Sequence, residues 1–146
     1  MPQNEVKMSV EQILGMFENE KKKLSGIESQ LSGLYGAMNE SNIVLSALEE
    51  MKSLKKQPVY FSLGAGIYTK AAIEDAENLL FTLPSGVVMN AGIADVKKKL
   101  DERKIAIQKD IDAFQKEAQL TTQTLNSLNS LVQQIARAQQ QNAGKQ

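Results

Sequence analysis

The sequence contains no cysteine, no histidine and no tryptophan. The absence of cysteine excludes a disulfide framework and a thiol nucleophile. The absence of both cysteine and histidine excludes a zinc finger, and the absence of histidine excludes histidine-dependent catalysis. Apolar residues make up 42% of the 146 residues, but aromatic residues only 5%, so few bulky side chains are available to fill a globular core. We expect one domain over residues 1–146, of unusual shape, that is not an enzyme and needs no cofactor or metal.

Charge and hydropathy narrow the choice of partners. Lysine plus arginine equals aspartate plus glutamate at 17 each, so no net positive field would attract nucleic acid or an anionic membrane. The longest apolar runs are a few residues, far below the roughly 18 that span a bilayer. The first five residues lack a secretory-signal pattern, and missing cysteine fits a reducing compartment. We therefore predict a cytoplasmic protein that binds neither nucleic acid nor membrane.

Proline and glycine positions divide the chain into a long helix, a β segment and a second long helix. We predict the helices over 9–54 and 92–140, followed by a flexible tail over 141–146. Ser9 and Gln12 have the spacing of a capping box at the first helix start. In that helix we assign the inward heptad positions, a and d, to Val10, Ile13, Phe17, Glu20, Leu24, Ile27, Leu31, Leu34, Met38, Ser41, Leu45, Leu48 and Lys52. Such a sustained 3.5-residue repeat predicts a coiled coil.

The second helix repeats this pattern. Its d positions are Ile93, Leu100, Ile107, Phe114, Thr121, Leu128 and Ile135, and its a positions are Lys97, Lys104, Ile111, Ala118, Leu125, Val132 and Gln139. Because the two helices match in length, we predict an antiparallel coiled-coil hairpin in which Leu45 faces Leu100 and Phe17 faces Leu128. Layers around Glu20 and Thr121 bury less apolar area, so the distal part should open more readily than the part near the β segment.

Between residues 59 and 90 the apolar period changes from 3.5 to two. Gly64-Ala65-Gly66 and Pro84-Ser85-Gly86 each separate two apolar runs, which predicts two β-hairpins. A small sheet that is apolar on both faces is unstable alone. We therefore expect the hairpins to pair with other copies or related chains. The residues assigned to this assembly are Val59, Phe61, Leu63, Gly64, Gly66, Ile67, Tyr68, Leu79, Phe81, Leu83, Val87 and Val88.

The run from Pro58 to Ala71, PVYFSLGAGIYTKA, followed by a second hairpin and a long heptad helix, resembles the alpha-class subunits of prefoldin. The second hairpin points to the alpha class. The resemblance implies an α+β fold, a hetero-hexamer with beta-class subunits, and hairpins that form a double β-barrel platform carrying coiled-coil arms. It also implies that the arm tips hold unfolded polypeptides without ATP and deliver them to a group II chaperonin. Pro84 departs from the glycine common in this family, which leaves the second turn and its edge pairing open.

The predicted arm tip has more apolar residues than a coiled-coil seam requires. Leu14, Met16 and Leu131 lie outside the a and d positions, and no charged residue occurs from Ala118 to Ala136. Surplus apolar surface marks an interaction site, and methionine adapts to varied partners. The candidate client-binding residues are Val10, Ile13, Leu14, Met16, Phe17, Leu128, Leu131, Val132 and Ile135. Those at a and d positions are better explained as ordinary coiled-coil core, although both roles can hold in turn.

Other functions find less support in the sequence. Gly64-Ala65-Gly66 lacks the third glycine of a dinucleotide-binding loop, and a strand rather than a helix follows it. The lysine runs at 21–23 and 97–99 alternate with acidic residues, as on a solvated helix face. Asp110 and Asp112 point apart on a helix, so they form no catalytic pair. A structural coiled-coil scaffold or filament-forming subunit that holds no clients remains the alternative.

Overall fold

The computed structural model describes residues 8–144. Along the chain it has helix α1 (Val10–Met51), strands β1 (Pro58–Gly64), β2 (Ile67–Ala72), β3 (Asn78–Thr82) and β4 (Val88–Gly92), and helix α2 (Ile93–Ala143). Strands β1 and β2 form one antiparallel sheet, and β3 and β4 form another. Two long helices with two small hairpins confirm the predicted α+β class. That all of it is a single domain stays a prediction.

The described residues fall into two compact units. Unit 1 comprises residues up to Leu34 and from Asp110 onwards, which is the first part of α1 and the later part of α2. Unit 2 comprises Tyr35–Lys109, with the remaining parts of both helices and the two hairpins. No helix among the described residues is long and apolar enough to cross a membrane.

The start of α1 has the predicted capping box. The Gln12 backbone N–H donates to the Ser9 hydroxyl at 3.2 Å, and the Ser9 N–H donates to the Gln12 side-chain oxygen at 2.9 Å. The first-turn N–H groups of a helix have no partner within the helix, so this reciprocal pair satisfies donors that would otherwise face water.

In unit 1 the buried residues follow the heptad seam. Ile13 and Ile27 of α1 and Ile111, Thr121 and Leu128 of α2 are all buried, and the a positions between them are half-buried. An ion pair joins the two helices, with 3.0 Å between Lys23 Nζ and Glu117 Oε1. The predicted seam is therefore confirmed from Val10 to Ile135 in this unit, polar Thr121 included, whereas the assignment of Gln139 to the seam is wrong because Gln139 is exposed.

In unit 2 the helices and the second hairpin share one apolar core. Leu48, Ala91, Val96 and Leu100 form its buried centre, and the half-buried residues Leu45, Met51, Leu79 and Phe81 pack against it. Leu45 thus packs against the cluster that contains Leu100, and the direct pairing of the two residues stays a prediction. Lys97 and Glu49 form an ion pair between the helices beside the core. Ser41 is buried in the seam with its hydroxyl donating to the Ala37 carbonyl at 2.9 Å.

Helix α1 ends earlier than the sequence predicts. The prediction extends it to Leu54, but the helix ends at Met51 and the predicted seam residue Lys52 is exposed. The backbone forms a tighter, 3₁₀-type turn after Met51, in which the Ser53 N–H donates to the Glu50 carbonyl three residues earlier. Lys56 then adopts a positive φ of 64°. The assignment of Lys52 to the seam is wrong, because Lys52 lies beyond the last residue of the helix and its side chain is exposed.

The two hairpin turns differ. In the first, Ala65 and Gly66 have φ values of 51° and 77°, and Gly64 pairs with Ile67. Positive φ at both central residues is the geometry of a two-residue turn that matches strand twist. In the second, the Gly86 N–H donates to the Leu83 carbonyl and the Leu83 N–H to the Val87 carbonyl, both at 2.8 Å. Pro84 is the second residue of this turn, where its fixed φ is favoured.

The remaining boundaries shift by a few residues. Strand β2 ends at Ala72, whereas the prediction continues it to Ile73. Strand β4 reaches Gly92, two residues beyond the predicted hairpin segment, and α2 begins at the next residue, Ile93. Helix α2 continues to Ala143 because alanine and glutamine are favourable in helices. The predicted flexibility of the tail stays a prediction, and Lys145 and Gln146 lie outside the described residues.

Candidate functional site

Six of the nine candidate client-binding residues lie in the seam of unit 1. Ile13 and Leu128 are buried, with only 3% and 5% of their surface exposed. The other four are half-buried, namely Val10, Phe17, Val132 and Ile135. Side chains in a coiled-coil core are covered by the partner helix in this way. A role of these six in client binding therefore stays a prediction and requires the helices to separate.

The three candidates outside the seam are exposed. Leu14, Met16 and Leu131 present 47%, 42% and 40% of their surface to solvent. Each of these apolar side chains is available without any rearrangement of the coiled coil. They are consequently the part of the candidate site that the folded chain presents directly.

The Lys23–Glu117 ion pair shows which of these residues share a side of unit 1. Residues seven apart lie on the same side of a coiled-coil helix, so Met16 lies on the side of Lys23, and Leu131 on the side of Glu117. Because Lys23 and Glu117 are in contact, these two sides adjoin. We call this surface the bridged flank. Leu14, one residue after buried Ile13, lies on the opposite side of the seam.

The bridged flank contains a further apolar residue that the sequence analysis missed. Leu120 is 55% exposed. Thr124 follows Glu117 by seven residues and so lies on the same side of α2. Leu120 precedes Thr124 by four residues, which places its side chain on that side too. Heptad reasoning assigns Leu120 to an ordinary outward position. An apolar residue at an outward position was the feature of the sequence that could have indicated Leu120 as a surface-binding residue.

The hydroxyl groups of distal α2 are used within the helix. Thr122, Thr124, Ser127 and Ser130 each donate to the carbonyl four residues earlier, at distances of 2.9 to 3.1 Å. These donors are therefore not free for water or a partner. Residues 118–136 also contain no charge, so the surface beside Leu120 and Leu131 is uncharged, and its remaining polar groups are Asn and Gln amides.

The hairpins of unit 2 expose most of the predicted assembly residues. Those with more than half of their surface exposed are Phe61, Leu63, Ile67, Tyr68, Val87 and Val88. Glycines Gly64 and Gly66 are exposed in the first turn, whereas Val59, Leu79, Phe81 and Leu83 are half-buried. Leu79 and Phe81 pack on the core of unit 2, so part of the second hairpin is already covered within the chain.

Two of the most exposed apolar residues were not assigned to assembly. Tyr60 is 72% exposed and Leu80 is 76% exposed. Leu80 alternates with the inward residues Leu79 and Phe81, so the period of two already indicated that it points outward. Both residues extend the apolar surface of the hairpins.

The segment between the hairpins is held by one carboxylate. Asp75 accepts hydrogen bonds from the backbone N–H groups of Glu77 at 2.9 Å and Asn78 at 3.2 Å, and from the Asn78 side chain at 2.8 Å. These bonds, the Asn78 side-chain bond foremost, lower the pKa of Asp75 below its ordinary value. The Lys97 ammonium likewise lowers the pKa of Glu49 through a hydrogen bond and its charge.

The described residues contain no cluster of three or more acidic side chains that could hold a metal ion. A concavity lies between the second hairpin and α2, in unit 2, and is lined by Phe81, Thr82, Leu83, Pro84, Lys99 and Arg103.

Two comparisons relate the chain to known proteins, and a third found nothing. The family model described as prefoldin subunit matches residues 21–140. A crystal structure of the prefoldin beta subunit from Thermococcus strain KS-1 is similar, with a TM-score of 0.56 and 16% identity over 86% of this chain and 90% of that one. No curated protein matches by sequence.

A second solved structure, the filamentous PFD from Methanocaldococcus jannaschii, has a TM-score of 0.52 and 11% identity over 88% of this chain and 98% of that one. At these identities the two structures show a common fold. The family match covers most of the chain, including both hairpins and most of each helix. The chain therefore belongs to the prefoldin family, whose two long helices and paired hairpins it has.

Proposed function

We propose that this chain is a subunit of an ATP-independent holding chaperone, which binds unfolded polypeptides on unit 1 and delivers them to a group II chaperonin. Membership of the prefoldin family supports a chaperone subunit. The observation that carries client holding is the bridged flank. There Met16, Leu120 and Leu131 are exposed on a surface where α2 has no charge between residues 118 and 136.

The flank suits weak and unselective binding. Exposed apolar side chains bind apolar segments of an unfolded chain by removing both from water. The α2 part of the flank from residue 118 to 136 has no charge and so repels neither acidic nor basic segments. Methionine also adjusts its shape to different partners. Holding by this surface needs no nucleotide, because burial of apolar area supplies the free energy.

We further propose that the chain is an alpha-class subunit that assembles through its hairpins with beta-class subunits into a hetero-hexamer in the cytoplasm. Two hairpins with four strands support the alpha class. The exposed apolar residues of the hairpins support assembly, because a two-stranded sheet with uncovered faces is not stable alone. The candidate assembly residues are those of the two hairpins given above.

The test of client holding is aggregation of a chemically denatured protein, followed by light scattering without nucleotide. The assembled wild-type complex should suppress scattering. The double variant Met16→Ser, Leu131→Ser should require a several-fold higher concentration for the same suppression. Ile105→Ser is the matched control, because Ile105 is 72% exposed on α2 but lies in unit 2. Equal suppression by the double variant and the control would contradict the proposal.

A structural scaffold or filament subunit is the second candidate. The similarity to a filamentous PFD favours it. A scaffold would form large assemblies and leave the scattering of a denatured client unchanged. The scattering assay therefore separates the two functions, and a mass measurement alone does not.

A further inference from the structure

A cleft lies between the second hairpin and α2, apart from the bridged flank. It has a volume of about 550 Å³, within the range of ligand-binding sites. Phe81, Leu83 and Pro84 give it an apolar floor, and Lys99 and Arg103 of α2 form its wall. We call it the Arg103 cleft. It combines apolar contact with two cations one helical turn apart.

Neither cation of this cleft forms an ion pair within the described residues, although Lys99 also lines a neighbouring cleft that contains the Asp95 and Glu102 carboxylates. No carboxylate lines the cleft, and within the described residues the ion pairs involve Lys23 and Lys97 but neither Lys99 nor Arg103. The Lys99 ammonium instead lies 5.9 Å from the centre of the Phe81 ring. An arginine with a free fork of donors binds carboxylates in two-bond geometry. The cleft is thus complementary to an acidic segment.

A neighbouring cleft on the same helix is different. It has about 250 Å³ and is lined by Lys98 and Lys99 together with the carboxylates of Asp95 and Glu102. There the two signs of charge are balanced. Lys98, adjacent to Lys99 in sequence, therefore provides a matched cation that is not part of the Arg103 cleft.

The chain has an acidic segment of suitable form. Glu74, Asp75 and Glu77 lie in the connection between the hairpins, which we call the acidic loop, and all three are exposed. Asp75 fixes the loop through its hydrogen bonds to Glu77 and Asn78. This leaves the Glu74 and Glu77 carboxylates, which form no ion pair within the described residues, projecting from an ordered turn.

In the folded chain the acidic loop lies away from the cleft of the same copy. The loop ends where β3 begins, at Asn78, whereas the cleft begins at Phe81 and Thr82 at the far end of this strand. Four residues of strand separate the two ends by about 13 Å. No residue of the acidic loop lines the cleft. A loop that enters the cleft must therefore come from another chain.

We propose that the acidic loop of a second copy of this chain binds in the Arg103 cleft, with Glu74 and Glu77 facing Lys99 and Arg103. This proposal rests on the proposed role of the hairpin segment in assembly, and it specifies one contact of that assembly. Because loop and cleft are different surfaces, the interface is head-to-tail. Such an interface repeats from copy to copy, closing into a ring or continuing as a filament.

The test is a charge swap read by light-scattering mass after size exclusion. The full-length wild-type chain alone should exceed the single-chain mass of 16.1 kDa. The cleft variant Lys99→Glu, Arg103→Glu and the loop variant Glu74→Lys, Glu77→Lys should each shift towards that mass. Each variant should also assemble in the other's presence, because the mixture contains two complementary pairs: the unchanged cleft with the unchanged loop, and the acidic cleft with the basic loop. High salt should weaken the wild-type contact, since the electrostatic screening length falls to about 3 Å at 1 M ionic strength.

Lys98→Glu is the control and should keep the wild-type mass. Helix content by circular dichroism shows that each variant is folded, and mutual rescue cannot come from misfolded chains. A monomeric wild-type chain would overturn the homotypic contact. A mixture no larger than its separate variants would overturn the charge pairing while leaving hairpin assembly intact. Client holding is measured separately by scattering, so its failure is distinguishable from failure of this contact.

Discussion

Leu128 and Leu131 lie three residues apart on α2 and have opposite environments, with 5% of Leu128 exposed and 40% of Leu131 exposed. One faces the partner helix and the other lies on the bridged flank. Leucine in both places allows stability and function to be tested with the same substitution.

Leu128→Ala should destabilise unit 1 by about 2 to 5 kcal/mol, because it leaves a cavity in the seam. Leu131→Ala should cost about 0.5 kcal/mol or less, as is usual for exposed side chains. Urea unfolding followed by circular dichroism measures both. Equal losses of stability in the two variants would show that Leu131 is packed and not available to a client.

Gly33→Ala should stabilise α1 by about 1 kcal/mol. A Cβ added at Gly33 has no atom within 4 Å, so the substitution gains helix propensity without a clash. Thermal unfolding should show a higher Tm. Gly86→Ala is the opposite control, because Gly86 has a φ of 82° that a side chain disfavours. A lower Tm for Gly33→Ala would mean that the helix is not regular at this position.

The ion pair between Lys23 and Glu117 should contribute little to stability. Both side chains are about half exposed, at 49% and 46%, and exposed pairs are worth about 0.2 to 1 kcal/mol. A double-mutant cycle with Lys23→Gln and Glu117→Gln should give a coupling in that range, which decreases with added salt. A coupling that is insensitive to salt would mean that the pair is shielded from solvent.

The turn between the hairpins should loosen in acid. Hydrogen bonds lower the pKa of Asp75 in the folded chain below the ordinary value of 3.8. Its contribution is therefore fully present above that value and is lost as the pH falls through the lowered pKa. The protection of the Glu77 and Asn78 amides, measured as their exchange relative to that of an unfolded chain at the same pH, should fall over this window. In Asp75→Ala the two amides should exchange faster at neutral pH also, whereas Glu74→Ala should leave them protected.

The sequence predicted the seam well because burial along two paired helices depends on a simple repeat. Residues as different as Ile13 and Thr121 occupy their predicted inward positions. The helix end at Met51 was predicted too late, since periodicity does not report the turn at Lys56. The Arg103 cleft was not predicted at all. It depends on how the second hairpin packs against α2, which brings Phe81 and Lys99 together across the sequence.

The passage from β4 into α2 has no linking residue, since Gly92 ends the strand and Ile93 begins the helix. The rotational phase of the helix is therefore set by the strand that precedes it. One alanine inserted at this junction would turn every later side chain by about 100° about the helix axis. Covalent continuity thus couples the angular setting of α2 directly to its hairpin.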